Sequence, residues 1–229
     1  MPTAVWGFNG VVAQDVEAHL AGFNAMLSEL EFPNVASVED IRAITRSPLI
    51  SSFEKLGMEP SLMPESLKFK LSRLYQGVYL KNKSAYIRTP GVRRTMTWLK
   101  QNGWTNIVLS NTRSDILKLQ VAQMQVSSYF TEISGQKERL DSESKSDRLG
   151  TYLAKIDVRE TGIVICDSAE EIEAARQNGF KSIAFTGGWV SWERLKAANP
   201  DHVIDRLHEI PQIVSTLNLP TRVPAAKPV

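Results

Sequence analysis

The sequence predicts an α/β fold: a Rossmann-like parallel sheet flanked by helices, interrupted early by an all-helical insertion. Three observations carry this expectation. Short apolar runs alternate with helical stretches over most of the 229 residues, as βαβ units require. Runs such as Ile163-Val164-Ile165 are apolar at consecutive positions rather than alternate ones, which suits strands covered on both faces. Residues 15–86 break the rhythm, because their apolar side chains recur only at helical spacing.

The elements follow in order. Ala4–Phe8 reads as a buried strand ending in a glycine turn at Gly10. Val16, Leu20, Phe23, Leu27 and Leu30 then repeat at helical spacing, and Phe53, Leu56, Leu67, Leu71 and Leu74 continue the pattern. Pro33, Pro48, Pro60 and Pro64 divide this stretch into separate helices. Beyond it the predicted helices are Val92–Asn102, Asp115–Val121, Asp147–Ile156, Ala169–Asn178 and Trp192–Ala198. The strands between them are Asn106–Leu109, Gly162–Ile165 and Ser182–Phe185, with Tyr129–Ile133 and Val203–Ile204 weaker. The expected division is a core of 1–14 and 87–219, a helical insertion of 15–86, and a loose proline- and alanine-rich tail at 220–229.

Composition narrows the function classes. Hydrophobic residues make up 42% of the chain, enough for a real core. Net charge is +2 with dispersed basic residues, which argues against a nucleic-acid partner. No apolar stretch reaches the roughly 18 residues of a membrane span, and no early run resembles a secretion signal. The single cysteine, Cys166, has no intrachain partner, so the expected compartment is a reducing one, the cytoplasm.

Six segments carry the chemistry. Ala4-Val5-Trp6-Gly7-Phe8-Asn9-Gly10-Val11-Val12 is a hydrophobic strand running into a glycine turn. Thr89-Pro90-Gly91-Val92 leads through Trp98-Leu99-Lys100-Gln101-Asn102-Gly103 into Ile107-Val108-Leu109-Ser110-Asn111. Lys145-Ser146-Asp147-Arg148-Leu149 opens a helix. Ile163-Val164-Ile165-Cys166-Asp167-Ser168-Ala169-Glu170-Glu171 ends a strand in an acidic turn. Phe185-Thr186-Gly187-Gly188-Trp189 and Asp201-His202-Val203-Ile204-Asp205 close the chain. In this order the segments resemble the motifs of the haloacid dehalogenase (HAD) superfamily of phosphohydrolases, the subgroup similar to phosphoglycolate phosphatase. That resemblance implies that residues 15–86 form a helical cap over the site. It departs at two positions: Gly7 stands where the family has its nucleophilic aspartate, and Asn9 where it has its acid/base aspartate.

The resemblance implies a role for each remaining residue. Gly7 cannot supply a nucleophile, and Asn9 cannot cycle a proton near neutral pH. Ser110, with Asn111, Gly10 and neighbouring backbone N–H groups, would bind phosphate. Ser110 as a cap of the following helix is the alternative. Lys145 would balance the phosphate charge, with Lys137 as a rival and a charged surface loop as the plain reading. Asp167 would ligate Mg²⁺, with Glu171 as ligand or support and Asn9 offering its backbone carbonyl. The missing carboxylate at position 7 implies weakened Mg²⁺ affinity. Asp167 and Ser168 capping the next helix is the alternative there.

Other residues point to packing. His19, His202 and His208 lack metal-ligand spacing and read as surface or packing residues. Arg42 and Arg46 could reach an anion, although a solvated helix face explains them as well. Trp189 and Trp192 read as packing or interface aromatics, and Cys166 as a small buried residue. The function expected is that of a catalytically degenerate HAD-like protein that binds phosphate, a phosphorylated small molecule or a protein partner in a sensing or regulatory role. The alternatives are an active hydrolase using metal-activated water, and a partner-binding protein with a vestigial cleft.

Overall fold

The computed structural model describes residues 1–46, 48–82, 87–136, 145–155 and 162–217. In chain order the elements are β1 (Thr3–Gly7), β2 (Ala13–Gln14), α1 (Val16–Glu29), α2 (Val38–Ile44), α3 (Glu65–Lys81), β3 (Ile87–Arg88), α4 (Val92–Gln101), β4 (Thr105–Arg113) and α5 (Ser114–Gln123). There follow β5 (Glu132–Gln136), α6 (Lys145–Lys155), β6 (Gly162–Cys166), α7 (Ala169–Gln177), β7 (Lys181–Phe185), α8 (Trp192–Ala197), β8 (His202–Ile204) and α9 (Ile210–Thr216). Two 3₁₀ segments, Leu49–Leu56 and Pro60–Leu62, join α2 to α3.

Six strands form one parallel sheet in the order β5-β4-β1-β6-β7-β8. The fold is α/β, as the alternation of apolar runs and helices predicts. Trp6 pairs with Val108 on one side and Ile165 on the other, which puts β1 at the centre. The chain leaves β1 toward β4 and β5, then crosses back to β6 and continues outward. The direction of winding therefore reverses at β1, and in open α/β sheets such a reversal opens a crevice at the carboxyl ends of the strands.

Strand alternation divides the core into two layers. Ala4, Trp6, Val108, Ile163 and Ile165 face one side, against Val92, Met96 and Leu99 of α4 and Leu117 and Val121 of α5. Val5, Ile107, Leu109, Val164 and Cys166 face the other, against Leu149 and Tyr152 of α6 and Ile172 and Ala175 of α7. Both faces are covered, so the central strands carry consecutive apolar residues, as in Ala4-Val5-Trp6, Ile107-Val108-Leu109 and Ile163-Val164-Ile165. The helical segment gathers its own cluster from Phe23, Met26, Leu27, Ile41, Phe53 and Leu71. β2 and β3 pair antiparallel, Ala13 with Arg88 and Gln14 with Ile87. The chain thus leaves for the helical segment and returns from it side by side, next to the turn that follows β1.

Candidate functional site

The crevice is built on the turn that follows β1. The N–H groups of Val11, Val12 and Ala13 all donate to the carbonyl of Phe8, which folds the chain tightly back. Gly10 occupies this turn with φ +76°, a left-handed conformation that glycine adopts at little cost. A side chain there has no room either, since a Cβ on Gly10 would lie 2.0 Å from Asp167 Oδ2. Gly7 is the last residue of β1 and lies outside the left-handed region. An aspartate can therefore adopt its backbone, and a Cβ there would meet Glu171 Oε1 at 2.9 Å and Val11 Cγ2 at 3.2 Å.

Asn9 is held at four points. Its Oδ1 accepts from Ser110 Oγ at 3.1 Å and Thr112 Oγ1 at 3.0 Å. Its Nδ2 donates to Asp15 Oδ2 and to Tyr79 OH, both at 2.9 Å. Two hydroxyls on one side and a carboxylate on the other fix the orientation of the amide. Ser110 is buried near the end of β4, and its Oγ also accepts the N–H of Thr112 at 3.0 Å. Its side chain thus turns toward Asn9 and the strand end. Asn111 is exposed, and its Oδ1 accepts from Arg148 Nη2 at 2.6 Å. Arg148, in α6, also donates from Nη1 to the Ser110 carbonyl at 2.7 Å. Lys145 opens α6, but its side chain, like the whole of Lys137, lies outside the described residues.

Asp167 follows β6 and is buried. Its Oδ2 accepts the backbone N–H of Trp189 at 2.7 Å, and Gly188 packs so closely that a Cβ there would lie 2.3 Å from the carboxylate. Ser168 Oγ donates to Glu171 Oε2 at 2.8 Å and accepts the Glu171 N–H at 3.4 Å. Ser168 is therefore the N-cap of α7, as the helix-cap alternative expects of it. Among the described residues, no three His, Cys, Asp or Glu side chains converge as a cation site.

The carboxylate that sequence reasoning missed is Asp15. It is buried, and four donors reach it: Gly10 N at 2.9 Å and Trp189 Nε1 at 2.6 Å on Oδ1, with Asn9 Nδ2 and the Tyr79 hydroxyl on Oδ2. Burial pushes its carboxyl above the ordinary aspartate range, against those hydrogen bonds, which favour the charged form. One turn further on, buried His19 stacks on Trp189 with ring centroids 4.0 Å apart. Its Nε2 lies 2.9 Å from Thr45 Oγ1 and its Nδ1 3.0 Å from Tyr75 OH. Thr45 donates its own proton to the Ile41 carbonyl. Nε2 must therefore be the N–H of His19, and Nδ1 accepts from Tyr75. Burial lowers the imidazole pKa to about 3, so His19 is neutral.

Two sequence expectations are corrected here. Arg42 is neither an anion clamp nor part of a solvated face: its Nε donates to the Gly188 carbonyl at 2.8 Å and its Nη2 to Gly187 at 3.3 Å. Its own carbonyl accepts from Ser191 N and Arg194 Nη1. Arg46 instead pairs with Glu54 on the surface at 2.7 Å. Trp189 is more than a packing aromatic, because it joins the site through both its backbone and indole N–H groups. The pairs Asp15/His19 and Tyr75/Tyr79, each four residues apart on facing helices, were the available signal for this network. His202 is half-buried, His208 and Trp192 are exposed, and Cys166 is buried with Sγ 3.8 Å from the Ile183 carbonyl.

Comparison with known proteins gives a consistent picture. The family model described as haloacid dehalogenase-like hydrolase matches residues 4–185. The phosphoglycolate phosphatase of Vibrio parahaemolyticus is 26% identical over 209 residues, 89% of this chain and 88% of that one. That of Pseudomonas savastanoi is 21% identical over 215 residues, 90% and 77% of the two chains. Among solved structures, a predicted phosphatase from Clostridium acetobutylicum superposes with a TM-score of 0.80 at 19% identity, covering 94% of this chain and 99% of that one. A haloacid dehalogenase-like hydrolase from Streptococcus pneumoniae gives 0.77 at 16% identity, covering 93% and 98%. Among the described residues, no helix is long and apolar enough to cross a membrane.

Proposed function

We propose, for a chain that belongs to the haloacid dehalogenase-like hydrolase family, that the crevice binds phosphate or a phosphorylated small molecule without hydrolysing it, in a sensing or regulatory role. One observation carries this reading. The strand end above which a nucleophile would stand holds Gly7, and the neighbouring Asn9 is an amide held at both ends. Neither can attack phosphorus or exchange a proton with a leaving group. Anion donors remain nearby in Ser110, Asn111 and the Gly10 N–H, Lys145 opening α6 is the cation proposed to balance the charge, and the helical segment 15–86 acts as the cap.

The family's phosphatases typically use Mg²⁺. The residues here do not fit a protein-held Mg²⁺ well. Asp167 is engaged by Trp189, Glu171 is engaged by Ser168, and position 7 brings no carboxylate. A hard cation held by one or two carboxylates needs further oxygen ligands from water or phosphate, so affinity for the ion alone is weak.

The second reading is an active hydrolase. Relatives similar along most of the chain bear the name phosphoglycolate phosphatase, and Asp15 places a carboxylate beside Asn9. One assay separates the two. Purified protein is incubated with 2-phosphoglycolate and with a generic phosphate monoester, with and without Mg²⁺. No turnover above background is expected, while phosphate raises the melting temperature by mass action and Lys145→Ala blunts that rise. Turnover abolished by Asp167→Ala would overturn the binding-only reading and establish the second.

A further inference from the structure

We propose that anion binding in this crevice unlatches the helical cap, because the donors an anion needs are already used to hold the cap closed; the proposal rests on the anion-binding reading above. Asp15 is the latch. It stands at the N-terminus of α1, and it ties together three parts of the chain that are distant in sequence. Asn9 and Gly10 reach it from the turn after β1, Tyr79 from cap helix α3, and Trp189 from the loop after β7. A second fastening lies beside it, where Arg42 of α2 binds the carbonyls of Gly187 and Gly188 and His19 stacks on Trp189.

The donors on the core side are shared. Gly10 has one backbone N–H, and in the closed structure it points at Asp15 Oδ1. Ser110 has one O–H, and it points at Asn9 Oδ1. An anion that takes these two protons takes them from the latch. Asn9 then loses one of the two hydroxyl bonds that orient its amide toward Asp15 and Tyr79, keeping only that from Thr112, and the Asp15 carboxylate is left facing a second negative charge. A closed cap and a bound anion therefore oppose one another. A ligand favours whichever state offers it free donors, in proportion to its differential affinity for the two states, and the coupling is reciprocal. Loosening the cap must tighten anion binding by the factor through which the anion loosens the cap.

Two variants cut the latch without removing an anion donor. Tyr79→Phe removes the hydroxyl that joins α3 to Asp15. Trp189→Phe removes the indole N–H while leaving an aromatic ring against His19. The experiment uses the full chain and inorganic phosphate, with chloride at matched ionic strength as the control. Hydrogen exchange is followed by mass spectrometry in peptides of α1 and α3, and phosphate affinity by titration calorimetry. Phosphate is expected to speed exchange in α3 while leaving the central strands unchanged. Each variant is expected to exchange faster in α3 without phosphate, and to bind phosphate about threefold to tenfold more tightly, the net worth of one hydrogen bond. Phosphate that binds yet slows exchange in α3 or leaves it unchanged would overturn the coupling alone. So would two folded variants that bind phosphate no more tightly than the parent. Absence of phosphate binding in parent and variants alike would overturn the anion-binding reading and the coupling with it.

Discussion

Asn9 Nδ2 donates to Asp15 Oδ2 at 2.9 Å, so positions 9 and 15 are a matched donor and acceptor. An amide at 9 suits a carboxylate at 15, and a carboxylate at 9 does not. Beside the turn after β1 the buried acid is Asp15 rather than residue 9, and the donors around it hold it in place.

Asn9→Asp is therefore expected to destabilise the fold. It would place two buried carboxylates in contact, and such a pair ionises only one member easily. The pair would share a proton, with a folded pKa above the unfolded value. Stability from that proton is present at low pH and lost as pH rises through the folded pKa. The expected cost is about 2–4 kcal/mol at pH 7, falling toward acid. Urea denaturation at pH 5 and pH 7.5 measures it, and an equal loss at both would contradict the pairing.

Asp15→Ala is expected to cost more than Tyr79→Phe. The first leaves Asn9, Gly10, Tyr79 and Trp189 short of an acceptor, and the second removes a single hydroxyl. Buried donors left unmet cost about 1–3 kcal/mol each before water enters. A loss of roughly 3 kcal/mol for Asp15→Ala and about 1 kcal/mol for Tyr79→Phe follows. Chemical denaturation of both variants gives the comparison, and the reverse ranking would remove Asp15 from the centre of the network.

The sheet was legible in the sequence because both of its faces are covered. Val5 packs to one side and Trp6 to the other, so burial shows as unbroken apolar runs. Ser110, Asp167 and Glu171 were legible because their strands and turns carry them to one end of the sheet. Asp15 was not. An aspartate just before a helix has an ordinary local explanation as an N-cap, yet its side chain makes no cap bond and turns into the crevice. Its partners Tyr79 and Trp189 lie 64 and 174 residues away. Arg148 was hidden similarly, as one charge among many in its stretch, until packing brought it against Ser110 and Asn111.

His19 sets the acid sensitivity. Its pKa is lowered by burial from 6.5 to about 3, so the unfolded chain binds the proton more readily. The stability this neutral histidine secures is present above pH 6.5 and lost as pH falls toward 3. Asp15 works in the opposite sense, because its raised carboxyl favours the fold at low pH and that share is lost as pH rises through its folded value. Between pH 7 and 4.5 the histidine contribution falls by about 2–3 kcal/mol. His19→Gln removes the titration, so the variant should be weaker at pH 7 and lose much less on acidification. Melting temperatures from pH 4.5 to 7.5 test this, and parallel curves for parent and variant would assign the acid limb elsewhere.

Gly7→Asp tests the identity of the first strand end. The backbone of Gly7 is outside the left-handed region, so an aspartate meets no conformational barrier there. Its Cβ would lie 2.9 Å from Glu171 Oε1, the movable end of a side chain. Without a cation, the new carboxylate and Glu171 repel one another, and the variant should be less stable than the parent by about 1–2 kcal/mol. With Mg²⁺, the same two groups and Asp167 become attractive oxygen ligands, since the ion neutralises the charges that repel. Millimolar Mg²⁺ should therefore raise the melting temperature of Gly7→Asp by several degrees and that of the parent hardly at all. Calorimetric titration should show Mg²⁺ binding in the variant before any phosphatase activity, because turnover also needs an acid/base group and Asn9 is bound to Asp15. A folded Gly7→Asp that binds Mg²⁺ no better than the parent would show that Gly7 does not occupy the nucleophile position.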